Sequence, residues 1–266
     1  MVEVQSHPCF LTPKRLQPQY PLFVFLPGMD GTGQLLRTQT AGLEAGFDVR
    51  CLAIPPDDLT CWEVLSERVV TLIQAELMAT PERSVYLCGE SFGACLAMKV
   101  ALRAPELFSQ IILVNPASSF HRRPWISWSS QITRWLPESM YQLSSVALMP
   151  LLASLSRISE TDRQAFFEAI QSVPQKTSIW RLSLLNEFKI SEDELGRLTQ
   201  PVLLIGSAAD RLLPSLTEVH LLARSLPNRK IVILPFSGHA CLLEEKVNLY
   251  QILRNQQCLP VQTANL

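Results

Sequence analysis

Residues 84–103 read SVYLCGESFGACLAMKVALR: an apolar run, a serine between two glycines, then a second apolar stretch with helical spacing. The run Ser84–Cys88 is nearly continuous in apolar residues, as expected of a strand covered on both faces. Phe92–Arg103 carries its apolar residues at helical intervals and predicts a helix. Between them lies Gly89-Glu90-Ser91-Phe92-Gly93, a G-x-S-x-G pentapeptide in a strand–turn–helix setting. Such a turn forces the serine into a strained backbone, and the glycines let the neighbouring strand and helix approach. The plainer alternative is a serine that merely sits in a tight turn.

The same alternation runs outward along the chain. Candidate strands are Leu22–Leu26 (LFVFL), Val49–Ile54, Pro201–Ile205 (PVLLI), Gln110–Val114 and Lys230–Leu234. Helical spacing marks Gly33–Ala41, Cys61–Met78, Ser215–Ser225 and Ala240–Arg254. This order implies an α/β fold with a doubly wound, mostly parallel sheet. From Ser118 to Leu198 no strand pattern occurs, and four of the five tryptophans fall there: Trp125, Trp128, Trp135 and Trp180. Connections in compact domains are usually far shorter. The expectation is an α/β core of residues 1–117 and 199–266 with a helical cap inserted at 118–198; the alternative is that the interval only completes the helical layer.

Composition narrows the function. A net charge of −1 offers no basic field for nucleic acid, and no apolar run is long enough to cross a bilayer. The first residues, MVEVQSHPCFLTPKRLQPQY, have no basic cluster leading into an apolar stretch, so no secretory signal is expected and a cytoplasmic location is. The seven cysteines lack metal-ligand spacing and are read as reduced thiols, so neither a metal nor a cofactor is expected.

A serine hydroxyl needs a base to become a nucleophile, and the base needs an orienting group. Of the four histidines, His7 lies in the N-terminal lead-in, His121 at the start of the proposed cap and His220 in a predicted helix. His239, in FSGHACLLEE, directly follows the last predicted strand and so sits at the carboxyl edge of the sheet, as Ser91 does. Asp210, in PVLLIGSAADRLLP, falls between them in sequence, again after a strand. Its alternative is a helix N-cap. Glu244 and Glu245 fall in the predicted final helix and are weaker candidates.

Acyl transfer also needs donors aimed at a developing oxyanion. The amide of Phe92 is one candidate, and that of Met29, in FLPGMDGTGQLL after the first long strand, is the second. That glycine-rich loop lacks the Gly-Lys-Ser/Thr ending of a phosphate-binding loop and does not fit GxGxxG. Asp30 within it is read as a loop brace that accepts backbone hydrogen bonds.

With LPGMDGTG, GESFG, Asp210 and His239 in this order, the chain resembles the α/β-hydrolases. Within that superfamily, FVFLPGMDGTG, LCGESFGACLAMKVALRAP and ILVNPASSF are similar to the hydrolase-like half of the phytyl ester synthases of plants and cyanobacteria, the esterase/lipase/thioesterase-type acyltransferases. The resemblance implies acyl-ester chemistry on long apolar groups, with Ser91 carrying the acyl group, Asp210 and His239 completing a triad, and Met29 and Phe92 binding the oxyanion. Those proteins often add a C-terminal domain with an H-x-x-x-x-D motif; none is expected here, which shifts weight from ester synthesis toward hydrolysis.

The leading expectation is a serine-dependent esterase or acyltransferase acting on an apolar or lipid ester. Two alternatives stay open: a small-molecule lyase or carbon–carbon hydrolase on the same fold, and a non-catalytic ligand-binding scaffold. The cap tryptophans and the stretch SSVALMPLLASLSRI suit an apolar pocket or peripheral contact with an internal membrane, and equally suit simple packing. Arg122 and Arg123 offer lipid-headgroup contacts or a solvated surface.

Overall fold

The computed structural model describes residues 7–120, 137, 140–141 and 147–259. Its strands are β1 (Cys9–Leu11), β2 (Leu22–Leu26), β3 (Asp48–Ala53), β4 (Val85–Glu90), β5 (Gln110–Val114), β6 (Val202–Ser207) and β7 (Arg229–Leu234). They form one seven-stranded sheet in the order β1-β3-β2-β4-β5-β6-β7, parallel except for β1. The helices are α1 (Arg37–Leu43), α2 (Trp62–Leu77), α3 (Phe92–Arg103), α4 (Met149–Leu152), α5 (Glu160–Gln171), α6 (Gln175–Glu187), α7 (Glu192–Gly196), α8 (Ser215–Ser225) and α9 (Leu249–Asn255).

The apolar runs form strands because both faces find cover. Leu22, Val24, Leu26, Leu87, Leu113 and Leu204 face a layer containing α2, α3 and α8. Phe23, Phe25, Cys88, Ile112, Leu203 and Ile205 face the opposite layer, built around α1 and α9. Every residue of β2, β4, β5 and β6 is buried, as continuous apolar patterning requires. The chain winds outward from β2 to β3, then returns to place β4 on the other side of β2. The crevice at such a reversal, beyond the strands' carboxyl ends, is where open α/β sheets bind ligands. The loop after β2 and the turn holding Ser91 meet there.

Two expectations differ from the structure, and one short strand goes unanticipated. The segment CFL at 9–11 pairs antiparallel with β3, although a three-residue strand is too short to show a period. β7 is an edge strand and only partly covered, with Ile233 exposed, so its apolar run overstates its burial. Ala240–Arg254 is not one helix: a 3-10 turn at Cys241–Leu243 is followed by extended backbone at Glu244, and α9 starts only after Asn248, whose side chain caps it. Tertiary hydrogen bonds override the local pattern. Gln39 Nε2 donates to the carbonyls of Leu242 and Val247, its Oε1 accepts from the amide of Leu249, and Glu244 is drawn inward.

Between β5 and β6 the regular elements among the described residues are all helices, with no strand. α6 is fastened to the core by Trp180 Nε1 donating to the carbonyl of Thr60 and by Trp62 Nε1 donating to that of Leu184. Trp180 thus packs this segment onto the sheet layer. Trp125, Trp128, Trp135, His121, Arg122 and Arg123 lie outside the described residues, as does the start of SSVALMPLLASLSRI. Among the described residues no helix is long and apolar enough to cross a membrane.

Candidate active site

Ser91 stands between β4 and α3 with φ 57° and ψ −113°, a region that non-glycine residues rarely occupy. Its amide donates to the carbonyl of Val114 at 2.9 Å, and its own carbonyl accepts from Ala94 and Ala117, so the turn is held from both sides. The glycines are required by space. A Cβ on Gly89 would lie 2.2 Å from the Gly93 carbonyl oxygen, and one on Gly93 would lie 2.0 Å from that of Leu26. G-x-S-x-G therefore records how closely α3 and β2 press against the turn.

His239 follows β7 and is 5% exposed. Its Nε2 lies 2.8 Å from Ser91 Oγ, and its Nδ1 lies 2.7 Å from Asp210 Oδ2. Asp210 divides its oxygens between two tasks. Oδ1 accepts the amides of Leu212 and Leu213 and so shapes the loop before α8, whose N-cap position is Pro214, while Oδ2 accepts from Ser215 Oγ and pairs with the imidazole. The helix N-cap considered for Asp210 is therefore not formed, and the side chain is placed against His239 instead.

The electrostatics follow from this geometry. Burial alone would lower the His239 pKa, but the Asp210 charge, the hydrogen bond to it and the Glu90 charge outweigh burial and raise it above the ordinary value. Burial alone would raise the Asp210 carboxyl, yet the His239 charge and the bonds from His239, Ser215 and Leu213 hold it below the usual carboxylate range. The pair is thus biased toward imidazolium and carboxylate. That is the charge state produced when His239 removes a proton from Ser91.

Met29 lies in the turn Gly28–Gly31, closed by the Gly31 amide donating to the Gly28 carbonyl at 3.1 Å. Gly31 takes φ 70°, and a Cβ on Gly28 would lie 4.0 Å from Ser91 Cβ, so the turn abuts the serine. Asp30 Oδ2 accepts the Thr32 amide at 2.9 Å and braces the loop. Phe92 opens α3, its ring stacked on Trp62 with centroids 4.7 Å apart. The structure thus gathers Ser91, His239, Asp210, Met29 and Phe92 in one crevice. His7 and His220 are exposed.

Other residues support the site: Asn115 and Glu90, to which sequence patterning assigns no role, and Glu244, which it offers only as a weaker candidate for the orienting acid. Asn115, fully buried with φ 42°, donates from Nδ2 to the His239 carbonyl at 2.6 Å and to Ser207 Oγ at 2.9 Å, and accepts the Ser207 amide at 2.8 Å. Its one sequence signal is an asparagine directly after a strand, where its tolerance of left-handed backbone is useful. Glu244 is fully buried rather than helical: it accepts the Gly238 amide at 2.8 Å and Ser237 Oγ at 3.0 Å, and pairs with Arg157. Glu90 is buried beside Ser91 with Oε1 unpartnered.

The protein family described as Serine aminopeptidase, S33, matches residues 62–246. Phytyl ester synthase 1, chloroplastic, of Arabidopsis thaliana is 32% identical over 257 residues, covering 88% of this chain and 36% of that protein. The chain therefore spans about a third of the length of that relative. The putative carbamate hydrolase RutD of Stutzerimonas stutzeri (strain A1501) is 26% identical, with 94% of this chain and 97% of that one covered. Among solved structures, MenH from S. aureus superposes with a TM-score of 0.75 at 14% identity, covering 95% of this chain and 100% of that chain.

Proposed function

The chain belongs to the serine aminopeptidase S33 family of α/β-hydrolases and is a hydrolase-type enzyme, and from that premise we propose that it cleaves an apolar carboxylic ester through an acyl-enzyme on Ser91. The observation that carries this reading is the hydrogen-bonded chain Ser91 Oγ–His239 Nε2 at 2.8 Å and His239 Nδ1–Asp210 Oδ2 at 2.7 Å. Ser91 Oγ attacks the ester carbonyl carbon while its proton passes to His239 Nε2. The carbonyl oxygen becomes an oxyanion between the amides of Met29 and Phe92. Collapse expels the alcohol, which leaves with the proton from His239. An acceptor, deprotonated by His239, then attacks the acyl-Ser91 carbonyl; collapse expels Ser91 Oγ, which takes the proton back from His239, and frees the acid or a new ester.

Water as that acceptor gives hydrolysis, and an alcohol gives transfer. Transfer is supported by the likeness to a protein named for phytyl ester synthesis. That likeness also supports an apolar substrate, and residues 118–198 are read as a helical cap over it. A fluorophosphonate probe should label the native protein and spare Ser91→Ala, and a series of acyl esters of rising chain length should be cleaved with a preference for the longer ones. Equal labelling of both proteins, or an intact ester series, would overturn the reading and favour a lyase or a binding scaffold.

A further inference from the structure

Arg181 heads the large side chains that are almost fully withdrawn from solvent, at 2% exposure. A buried guanidinium is costly, several kcal/mol per ion, unless it is paired or fully hydrogen-bonded. Among the described residues no carboxylate lies within ion-pair distance of it. Instead Nη1 donates to the Met29 carbonyl at 2.5 Å and Nη2 to the Pro55 carbonyl at 3.4 Å. Asp30 and Asp58 lie farther off and attract its charge.

Its target is the turn that carries the Met29 amide. The Gly28 carbonyl in that turn accepts the Gly31 amide, and the Gly31 carbonyl accepts the amide of Ile54 at 2.7 Å. The Met29 carbonyl between them is taken by Arg181, on α6, from the helical segment between β5 and β6. The contact is close: a Cβ on Gly31 would lie 2.7 Å from Arg181 Nη1 and would push the guanidinium aside. Gly31 thus serves both the positive φ of the turn and the seat of the guanidinium. Lysine carries its three N–H donors on one compact ammonium and lacks the planar fork with which the guanidinium reaches the two carbonyls from separate nitrogens.

We propose that Arg181 is a positioning residue for the oxyanion site: it clamps the Gly28–Gly31 turn through the Met29 carbonyl and so sets where the Met29 amide points. The inference rests on the reading of Met29 as an oxyanion donor. It makes the helical segment part of the catalytic apparatus as well as a cover. α6 keeps separate fastenings through Thr177 to the Pro56 carbonyl, Trp180 to Thr60 and Trp62 to Leu184, so losing the guanidinium need not detach the helix.

The test compares the full chain with Arg181→Met and Arg181→Lys, using an ester that the parent hydrolyses and a trifluoromethyl ketone that forms a tetrahedral adduct. One misplaced oxyanion donor should lower kcat by about 30-fold or more. KM should stay within about threefold, because the ground-state ester makes little use of the oxyanion donors. Affinity for the ketone should fall by the same factor as kcat/KM, a correlation that a purely structural arginine would not produce. Should Arg181→Met fail to fold, Arg181→Lys carries the same comparison. A folded variant with kcat and ketone affinity within twofold of the parent would overturn the proposal. A parent that neither cleaves esters nor reacts with a fluorophosphonate would sink the esterase reading itself.

Discussion

Ser91 Oγ and His239 Nε2 stand 2.8 Å apart although 148 positions separate them in sequence. The contact exists because β4 and β7 run parallel in one sheet and both release the chain at the same edge. With this bond in place, His239→Ala should lower ester turnover by at least about a thousandfold. Fluorophosphonate labelling of Ser91 should slow in parallel while the melting temperature stays near that of the parent. Labelling at the parental rate would sever His239 from the nucleophile.

The raised His239 pKa has a defined consequence for pH dependence. The imidazole acts as a base only when neutral, so kcat/KM should rise with pH along a limb centred above the ordinary value of 6.5. Asp210 is held low and stays ionised throughout that range. Asp210→Asn removes the charge that raises His239, so the residual activity should show its limb at lower pH. A pH–rate profile of both proteins settles the sign.

Asn115 links the chain after β5 to Ser207 and to the His239 carbonyl. Asn115→Ala leaves these buried groups unsatisfied, at about 1–3 kcal/mol for each group stranded. A lowered midpoint in urea, with a fall in kcat exceeding any change in KM, is the expected result. Parental values in both measurements would reduce Asn115 to a spacer.

Glu90 offers a separable effect on stability. Burial pushes its carboxyl up to about 7 from 4.5, with Asp30 adding to the rise and His239 and the Leu242 amide opposing it. Because the folded value exceeds the unfolded one, the group's contribution is full below pH 4.5 and is lost as pH rises through 7. Glu90→Gln does not titrate, so its melting temperature should gain on the parent between pH 5 and pH 8. The gain is capped at about 3 kcal/mol by the size of the shift.

Gly93 has no room for a side chain, since a Cβ would sit 2.0 Å from the backbone oxygen of Leu26. Gly93→Ala should cost more than about 3 kcal/mol or prevent folding. Gly42→Ala, in α1, meets nothing closer than 3.7 Å and should be neutral or stabilising by up to about 1 kcal/mol. Thermal melts of the two variants test whether crowding, rather than glycine flexibility, dictates the motif.

The parallel sheet and the residues at its edge were legible in the chain because their cause is local. A run such as LFVFL buries both faces whatever its neighbours are, and a residue directly after a parallel strand must emerge at the carboxyl edge. Ser91, Asp210, His239 and the Met29 loop each follow a strand in this way, so their gathering could be anticipated one segment at a time. Ala240–Arg254 shows the limit: its apolar spacing suits one helix, and hydrogen bonds of the Gln39, Glu244 and Asn248 side chains hold it in another form.

Alone, then, the sequence determined the layers, the strand ends and the residue types delivered to the crevice. Tertiary structure decided which groups complete them: Asn115 on the His239 carbonyl, Glu244 under Gly238, and Arg181 on the carbonyl of Met29. The reason is physical. Burial pattern is a property of short stretches, whereas a buried polar atom takes whatever partner the folded chain brings within hydrogen-bond reach; for Arg181 and Met29 that partner lies 152 positions away.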